Sequence, residues 1–339
     1  MVCAMQAGTS LPTSAAQAAE LLESKRRRVG LSVLVIVQVF FGLFSVFAKL
    51  STDPVGGFAP RAVAFWRIAF GALVLGGLAA IKYRAKLLPK RSELGRLFCM
   101  GLFGIVVNQI LALEGVARTS VTLAGILMTL IPVFTYALAL LFGQELLRPQ
   151  RVVGIALALV GAVILVLLRS RGEPLVAGAN PLVGSTLIIL NCLSYAGFLI
   201  LARGILGQRP ALWVIAWTFF MALLALPFMA VGVELWPAQP SPSALNALVL
   251  MIVLCTIVSY LMNTFALARV SASTAASFIY LQPLVAGVSA WTIMGERPSA
   301  AGLWPVLLLF GGLWLVIRAK PVRVPVLPEP LSAPGTPGD

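Results

Sequence analysis

The stretch from residue 117 to residue 145, ARTSVTLAGILMTLIPVFTYALALLFGQE, returns in altered form 151 residues later, from 268 to 296, as ARVSASTAASFIYLQPLVAGVSAWTIMGE. The identities in this register are Ala117 with Ala268, Arg118 with Arg269, Ser120 with Ser271, Ala124 with Ala275, Leu130 with Leu281, Pro132 with Pro283, Glu145 with Glu296 and Gly161 with Gly312. Matched Ala and Leu residues can follow from an apolar composition, but matched Arg, Pro and Glu residues do not. A shift of 154 residues continues the match upstream, placing Phe41 and Lys49 on Tyr195 and Arg203. The sequence therefore predicts two related halves.

The two halves lie in a chain that is too apolar for a soluble protein. Of its 339 residues, 60% are hydrophobic and only 11% are charged, whereas soluble domains carry about 25% charged residues. Its four cysteines are far apart, which excludes a disulfide scaffold. A membrane helix needs about 20 apolar residues. Stretches of this kind predict ten membrane spans at 30–50, 60–81, 94–114, 119–142, 151–168, 182–202, 211–232, 244–267, 272–294 and 299–318.

The number of spans in each half decides how the halves are related. Five is odd, so the second half enters the membrane upside down relative to the first. The predicted fold is an all-α integral membrane protein of ten transmembrane helices, built as two inverted five-helix repeats (5+5) at 30–168 and 182–318. Residues 1–29 and 319–339 are predicted to be disordered cytoplasmic ends.

Basic residues predict the orientation in the membrane. With a cytoplasmic N-terminus, the ten spans place 18 of the 25 Lys and Arg residues on the cytoplasmic side and 6 outside, with Arg67 inside the second span. This bias favours cytoplasmic positions for both termini. The net charge of +14 therefore reflects loops that flank a membrane, and nucleic acid is not a predicted partner.

Several short blocks stand out in the two halves. In the first half they are Phe41-Gly42 through Lys49, Arg67, Ala117-Arg118-Thr119-Ser120, Pro132 and Gly143-Gln144-Glu145, and in the second Ala268-Arg269-Val270-Ser271, Gln282-Pro283 and Gly295-Glu296-Arg297-Pro298. Together these blocks resemble the EamA family of the drug/metabolite transporter superfamily. The first helix departs from the family, which often has a Trp-Gly pair where this chain has Phe41-Gly42. The resemblance covers residues 30 to 318 and implies a multi-pass permease of the bacterial inner membrane, commonly an exporter of amino acids and other small metabolites.

Polar residues that recur in both halves predict a binding cavity near the membrane midplane, because polar side chains in a bilayer usually face a bundle interior or water. In the 151 register Asn108 and Ala112 fall on Ser259 and Asn263, while Tyr260 aligns with Gln109. The predicted substrate-binding residues are Gln38, Phe41, Asn108, Tyr195, Ser259, Tyr260, Asn263, Tyr280 and Gln282. The alternative is that these side chains only join helices by hydrogen bonds.

Two prolines and four charged residues are candidates for hinges and gates. Pro132 and Pro283 interrupt helices, since proline removes a backbone hydrogen bond and clashes with the carbonyl group of residue i−4. Inverted packing would place Arg118 and Glu296 on the outer side, and Glu145 and Arg269 on the inner side. These pairs are either gate latches or inert ion pairs.

The chemistry of the chain favours transport over catalysis. It has no His, no deep carboxylate pair and no phosphate-binding loop, so no enzyme, metal or cofactor is predicted. No basic cluster lies in the predicted cavity, which favours a neutral or zwitterionic substrate and an exporter or facilitator that works by alternating access. The alternatives are a proton-coupled drug/metabolite antiporter, with Glu114 as the candidate titrating group, and a non-transporting membrane assembly protein. The predicted partners are a small-molecule substrate and the lipid bilayer, and a monomer is compatible with this function.

Overall fold

Helices account for the regular structure in the part of the chain that this computed structural model describes, namely residues 14–143, 146–172, 180–206, 208–267, 269–270, 278–295 and 303–318. The α-helices are α1 Ser14–Ser51, α2 Pro60–Tyr83, α3 Arg91–Gly101, α4 Asn108–Arg118, α5 Val121–Leu127, α6 Ile131–Leu141, α7 Pro149–Gly172, α8 Pro181–Leu206, α9 Ala211–Ala222, α10 Leu226–Ala230, α11 Pro242–Leu250, α12 Ser259–Leu267, α13 Gln282–Met294 and α14 Leu303–Arg318.

Seven continuous helical stretches are long and apolar enough to cross a membrane. They are α1 from Ser24, α2, α3 with α4, α5 with α6, α8, α9 with α10, and α11 with α12. Shorter apolar helices cover Pro149–Ile164 and Leu303–Gly312. The protein is therefore a multi-pass membrane protein. Each of the ten predicted segments contains helix, but the ten-span arrangement itself remains a prediction.

The first helix begins earlier than the sequence predicts. α1 starts at Ser14, so the helix extends into residues 1–29, which we expected to be disordered. Its first turns, from Ser14 through Glu23, are rich in Ala, Leu and Glu, and these residues have high helix propensity. The extension is a correction to the predicted boundary, and residues 1–13 lie outside the described residues.

The two halves share the same departures from regular α-helix. π-Helical segments separate α3 from α4 at Leu102–Val107 and α11 from α12 at Met251–Val258. In the 151 register the first segment falls on residues 253–258, within the second. The 3₁₀ turns Met128–Leu130 and Phe278–Leu281 are related in the same way. The repeat found in the sequence therefore extends to the irregularities of the backbone.

The matched prolines explain where the 3₁₀ turns lie. Pro132 and Pro283 each stand within the first two residues of the α-helix that follows a 3₁₀ turn. The carbonyl groups that these rings would crowd belong to Met128 and Ile279, and both residues lie in the 3₁₀ turns. The helix tightens there because the regular hydrogen bond to proline cannot form.

The halves interlock through the first helix of each. α1 packs against α12 and α13, while α8 packs against α4 and α6. α7 and α14, the last helices of the two halves, pack extensively against each other. A Cβ atom on Gly161 or Gly312 would come closer than 3.0 Å to backbone of the opposite helix, so these matched glycines permit the close approach. The first helix of each half thus packs against helices of the other half, and a cavity lies between the halves.

Candidate substrate cavity

A cavity lies where helices of the two halves meet. Its described lining residues are Gln38, Phe41, Phe44, Arg67, Asn108, Gln109, Ala112, Met128, Ile131, Asn191, Tyr195, Leu199, Tyr260, Asn263, Leu267, Ile279 and Gln282. Seven of the nine predicted binding residues are among them: Gln38, Phe41, Asn108, Tyr195, Tyr260, Asn263 and Gln282. Their shared location agrees with the matched polar faces, and their role in binding remains a proposal.

One side-chain hydrogen bond in the cavity joins the two halves, and a second joins two helices of the second half. The side-chain amide Nε2 of Gln282 donates to Oε1 of Gln38 at 2.6 Å, and Nδ2 of Asn263 donates to the Tyr195 hydroxyl at 3.4 Å. Gln38 comes from α1, whereas Gln282 begins α13. Both glutamines are buried, so their bond satisfies two amides that would otherwise be costly to bury. These contacts join helix to helix at the wall of the cavity.

Asn108 and Asn191 form a reciprocal contact between α4 and α8. Nδ2 of Asn191 donates to the backbone oxygen of Asn108 at 2.7 Å, and Nδ2 of Asn108 approaches the backbone oxygen of Asn191 at 3.5 Å. The first bond is short, while the second lies at the limit for a hydrogen bond. Asn191 therefore joins helices, and the amide of Asn108 is only weakly engaged.

Aromatic rings form the apolar wall. The Tyr260 ring meets Phe41 and Phe219 edge to face, at centroid distances of 6.0 and 5.3 Å. Tyr195 stacks on Phe198 at 5.6 Å. Such ring contacts fix side-chain orientation. The cavity thus combines rigid aromatic surfaces with amide and hydroxyl groups.

Two predicted binding residues are not placed in this lining. Ser259 is fully buried, and its hydroxyl donates to the backbone oxygen of Leu254 at 2.7 Å. The adjoining π-helix shifts the local hydrogen-bond pattern to i−5, which supplies this acceptor. Ser259 is not among the described lining residues, and its role in binding remains a prediction. The backbone of Tyr280 lies in the 3₁₀ turn Phe278–Leu281, and its side chain lies outside the described residues.

Arg67 and Gln109 are cavity residues that the sequence prediction missed. Arg67 is 3% exposed, and its Nε donates to Thr256 Oγ1 at 2.8 Å. Its guanidinium carbon lies 4.9 Å from the centroid of Phe44. Gln109 is 1% exposed, and neither polar atom of its side-chain amide has a hydrogen-bond partner among the described residues. The position of Arg67 inside the second predicted span was the available signal.

The predicted gate residues have mixed outcomes. Arg118 forms an ion pair with Glu114, one turn back on α4, a partner that the sequence analysis did not assign to it. Arg269 donates to the backbone oxygen of Phe265 at 2.8 Å and lies over the ring of the same residue. Glu145 and Glu296 lie outside the described residues, so their predicted pairings with Arg269 and Arg118 remain predictions.

Comparison with known proteins gives a consistent result. An uncharacterized transporter of Archaeoglobus fulgidus is 23% identical over 76% of this chain and 87% of its own length. A WAT1-related protein of Arabidopsis thaliana is 24% identical over 82% of this chain and 86% of its own length. The uncharacterized transporter YxxF of Bacillus subtilis is 25% identical, with shares of 91% and 96%.

Fold and family comparisons extend this likeness. A solved protein structure superimposes with a TM-score of 0.58 at 18% identity, covering 86% of this chain and 96% of that chain, which is a likeness of fold alone. The EamA-like transporter family matches residues 28–167 and again residues 182–318. Its two matches coincide with the two halves that share backbone irregularities and enclose the cavity. The chain therefore belongs to the EamA-like transporter family of the drug/metabolite transporter superfamily, whose members are transporters and not enzymes.

Proposed function

We propose that this transporter is a permease of the bacterial inner membrane that carries small neutral or zwitterionic metabolites such as amino acids. The proposal includes ten spans in two inverted halves, 30–168 and 182–318, with both termini in the cytoplasm. Matched π-helical and 3₁₀ segments support the repeat. The excess of basic residues in the loops assigned to the cytoplasm supports the orientation.

One observation carries the proposal: the cavity is walled by residues from both halves. The hydrogen bond from Gln282 to Gln38 joins the second half to the first, and so does the bond from Asn191 to the backbone oxygen of Asn108. A movement of one half against the other would change these contacts and the access to the cavity together. This coupling is what alternating access around a central site requires.

The proline breaks supply a place for such movement. At Pro132 and Pro283 the regular α-helical hydrogen bonds give way to 3₁₀ turns, so bending there disrupts fewer bonds than bending an unbroken helix. Met128 and Ile279 in these turns also line the cavity. We therefore assign the two breaks as hinges for opposite mouths of the cavity.

The described lining contains no carboxylate, and the whole chain contains no His. A proton-coupled antiporter usually needs a titratable group at its site. The lining therefore favours a facilitator or exporter that moves solute down its gradient.

Counterflow in proteoliposomes tests the proposed transport. Liposomes preloaded with unlabelled amino acids should take up the matching labelled amino acid faster than protein-free liposomes for at least one member of a panel of the standard amino acids. Tyr195→Phe, which removes the hydroxyl that Asn263 contacts, should lower this uptake about 2- to 10-fold, the effect of one hydrogen bond. Leu284→Ala, at an exposed apolar position of α13, is the matched control and should leave uptake unchanged. Uptake equal to protein-free liposomes for the whole panel would contradict amino acid transport and favour the non-transporting alternative.

Cysteine labelling tests the orientation. In a cysteine-free background, a membrane-impermeant thiol reagent added outside cells should label a cysteine at Glu234 but not one at Lys86. Each position is in or beside a loop between helices. A reagent can therefore reach each one from the side of the membrane on which that loop lies. The reverse labelling pattern would contradict cytoplasmic termini.

A further inference from the structure

Arg67 is a buried cation without a counter-ion among the residues that the structure describes. It lies on α2, faces the cavity and is almost fully shielded from solvent. In the described ranges, no Asp or Glu oxygen lies within 4.0 Å of it. Burying a charge is costly unless another group compensates for it. A bound anion would provide this compensation.

The Arg67 guanidinium is held in a fixed orientation, and its terminal N–H donors remain available. Thr256 Oγ1 accepts from Nε, and the same hydroxyl donates to the backbone oxygen of Met251 at 3.2 Å, so the π-helix fixes the acceptor. Phe44 lies against the guanidinium plane. The terminal nitrogens make no hydrogen bond to the described residues, although a guanidinium has four N–H donors there. A planar pair of free donors matches the two oxygens of a carboxylate.

Gln109 is a second group in the same cavity with unmet hydrogen bonds. Its amide is buried, and neither of its polar atoms has a hydrogen-bond partner in the described part of the chain. Buried polar groups in proteins are normally satisfied. Its NH₂ group can donate to an anion, and its oxygen can accept from an ammonium group. Two polar groups in one cavity, the Arg67 guanidinium and the Gln109 amide, can therefore form hydrogen bonds with a ligand.

The charge of the lining limits the ligand to one negative charge. Arg67 is the only Lys or Arg among the described lining residues. A phosphate monoester carries close to two negative charges at neutral pH, so one guanidinium would leave part of its charge uncompensated. A monocarboxylate, either alone or as part of an amino acid zwitterion, matches the single cation.

We propose that Arg67 and Gln109 form a carboxylate subsite of the transport cavity, with Arg67 binding the carboxylate and Gln109 donating to it from the side. This inference rests on the proposed permease function. It selects zwitterions with one carboxylate among the substrates proposed there and adds simple monocarboxylates to them. Thr256 is a positioning residue, since it orients Arg67 and does not itself line the cavity.

Thermal unfolding of the purified full chain in detergent tests the subsite without requiring transport. The probes are size-matched carboxylate and amide pairs, isovalerate with isovaleramide and benzoate with benzamide, together with the standard amino acids, all against sodium chloride at equal ionic strength. At least one carboxylate should raise the unfolding temperature of the wild type at concentrations about 10- to 100-fold lower than its amide, the range expected for charge-assisted hydrogen bonds.

Variants assign the effect to Arg67. Arg67→Gln should abolish the preference for carboxylate over amide, and Arg67→Lys should weaken it by retaining the charge without the paired donors. Lys82→Gln, which removes one cation at the exposed end of the same helix, is the matched control and should behave as the wild type. If Arg67→Gln does not fold, Gln109→Leu keeps the test open, because it should weaken carboxylate binding while leaving the charge in place.

Four results would overturn the subsite: equal stabilisation by carboxylate and amide, stabilisation by chloride as strong as by carboxylates, no stabilisation by any probe, or a carboxylate preference that survives in Arg67→Gln. The proposed function can fail separately. Carboxylate binding without counterflow would support the subsite but contradict the proposed permease function. Equal counterflow of uncharged amides and carboxylates would support the permease function but contradict the subsite.

Discussion

The two halves of this transporter have the same backbone irregularities but different chemistry at equivalent cavity positions. In the 151 register Gln109 corresponds to Tyr260, Ala112 to Asn263 and Ile131 to Gln282, and all six residues line the cavity. The contrast extends to the second helix of each half. α2 contributes Arg67, whereas α9 contains no charged residue and no residue of the described lining.

This difference separates what the fold requires from what a substrate requires. Proline positions and π-helical segments recur because both halves must bend and pack in the same way. Under the proposed function, the side chains diverge because a small asymmetric solute contacts the two walls with different groups. We therefore expect the cavity to bind its substrate in one orientation, with the cationic end of the cavity at α2 and the tyrosine and asparagine wall at the second half.

The largest expected effect on stability and counterflow comes from replacing Gln282, which is hydrogen-bonded to Gln38, by the residue at the equivalent position of the first half. Gln282→Ile copies Ile131 and leaves the buried Gln38 amide without its partner, which should cost about 1–3 kcal/mol of stability and lower counterflow at least tenfold. Thermal unfolding and counterflow measure the two effects. The exposed Leu284→Ala variant is again the control.

A double variant decides between substrate binding and helix joining at this pair. Gln38→Leu with Gln282→Ile removes both amides and should restore stability, since no polar group is then left unpaired. Counterflow should stay low, because the substrate would lose two hydrogen-bonding groups. Full recovery of counterflow in the double variant would show that these amides only join α1 to α13.

The next effect concerns a place where the halves are alike. Gly161→Ala and Gly312→Ala each push a methyl group into the backbone of the opposing helix, and both should destabilise the α7–α14 contact by about 1–3 kcal/mol. Gly311→Ala is the matched control, because a Cβ atom there meets nothing within 4 Å. Loss of stability in only one of the two glycine variants would break the equivalence of the halves at this contact.

The sequence predicted the shared features of the halves better than their differences. Pro132, Pro283 and the polar positions Asn108 and Asn263 were found by matching one half to the other. Arg67 and Gln109 were missed as cavity residues. The comparison of the halves selected Tyr260 but not its equivalent Gln109, and hydropathy places Arg67 inside the second span without showing what it faces.

Local backbone geometry was also beyond the reach of sequence patterns. Ser259 aligns with Asn108, yet it is not in the described lining, and the π-helix before it supplies the Leu254 carbonyl as an acceptor for its hydroxyl. Hydrophobic periodicity assumes a regular 3.6-residue helix and cannot register such a shift. Hydropathy also does not identify the helical extension from Ser14, because hydropathy identifies apolar membrane spans and this extension is a more polar helix that precedes the span.

The smallest expected effect tests whether either half carries a proton-coupling group. With equal concentrations of a zwitterionic amino acid on both sides of proteoliposomes, an imposed pH gradient should produce no accumulation. Glu114, which pairs with Arg118 outside the described cavity lining, should be replaceable by Gln with little change. Uphill accumulation that Glu114→Gln abolishes would instead establish the proton-coupled antiporter.

Access to the cavity from both sides of the membrane is the most direct test of the central claim that one site between the halves serves transport. Cysteines placed at the equivalent lining positions Ala112 and Asn263, in a cysteine-free chain that retains counterflow, should react with an impermeant thiol reagent added to either face of the membrane, and a transported amino acid should slow the reaction. Leu75→Cys, buried and outside the lining, should stay unreacted. Reaction from one face only, in the presence and absence of substrate, would contradict alternating access.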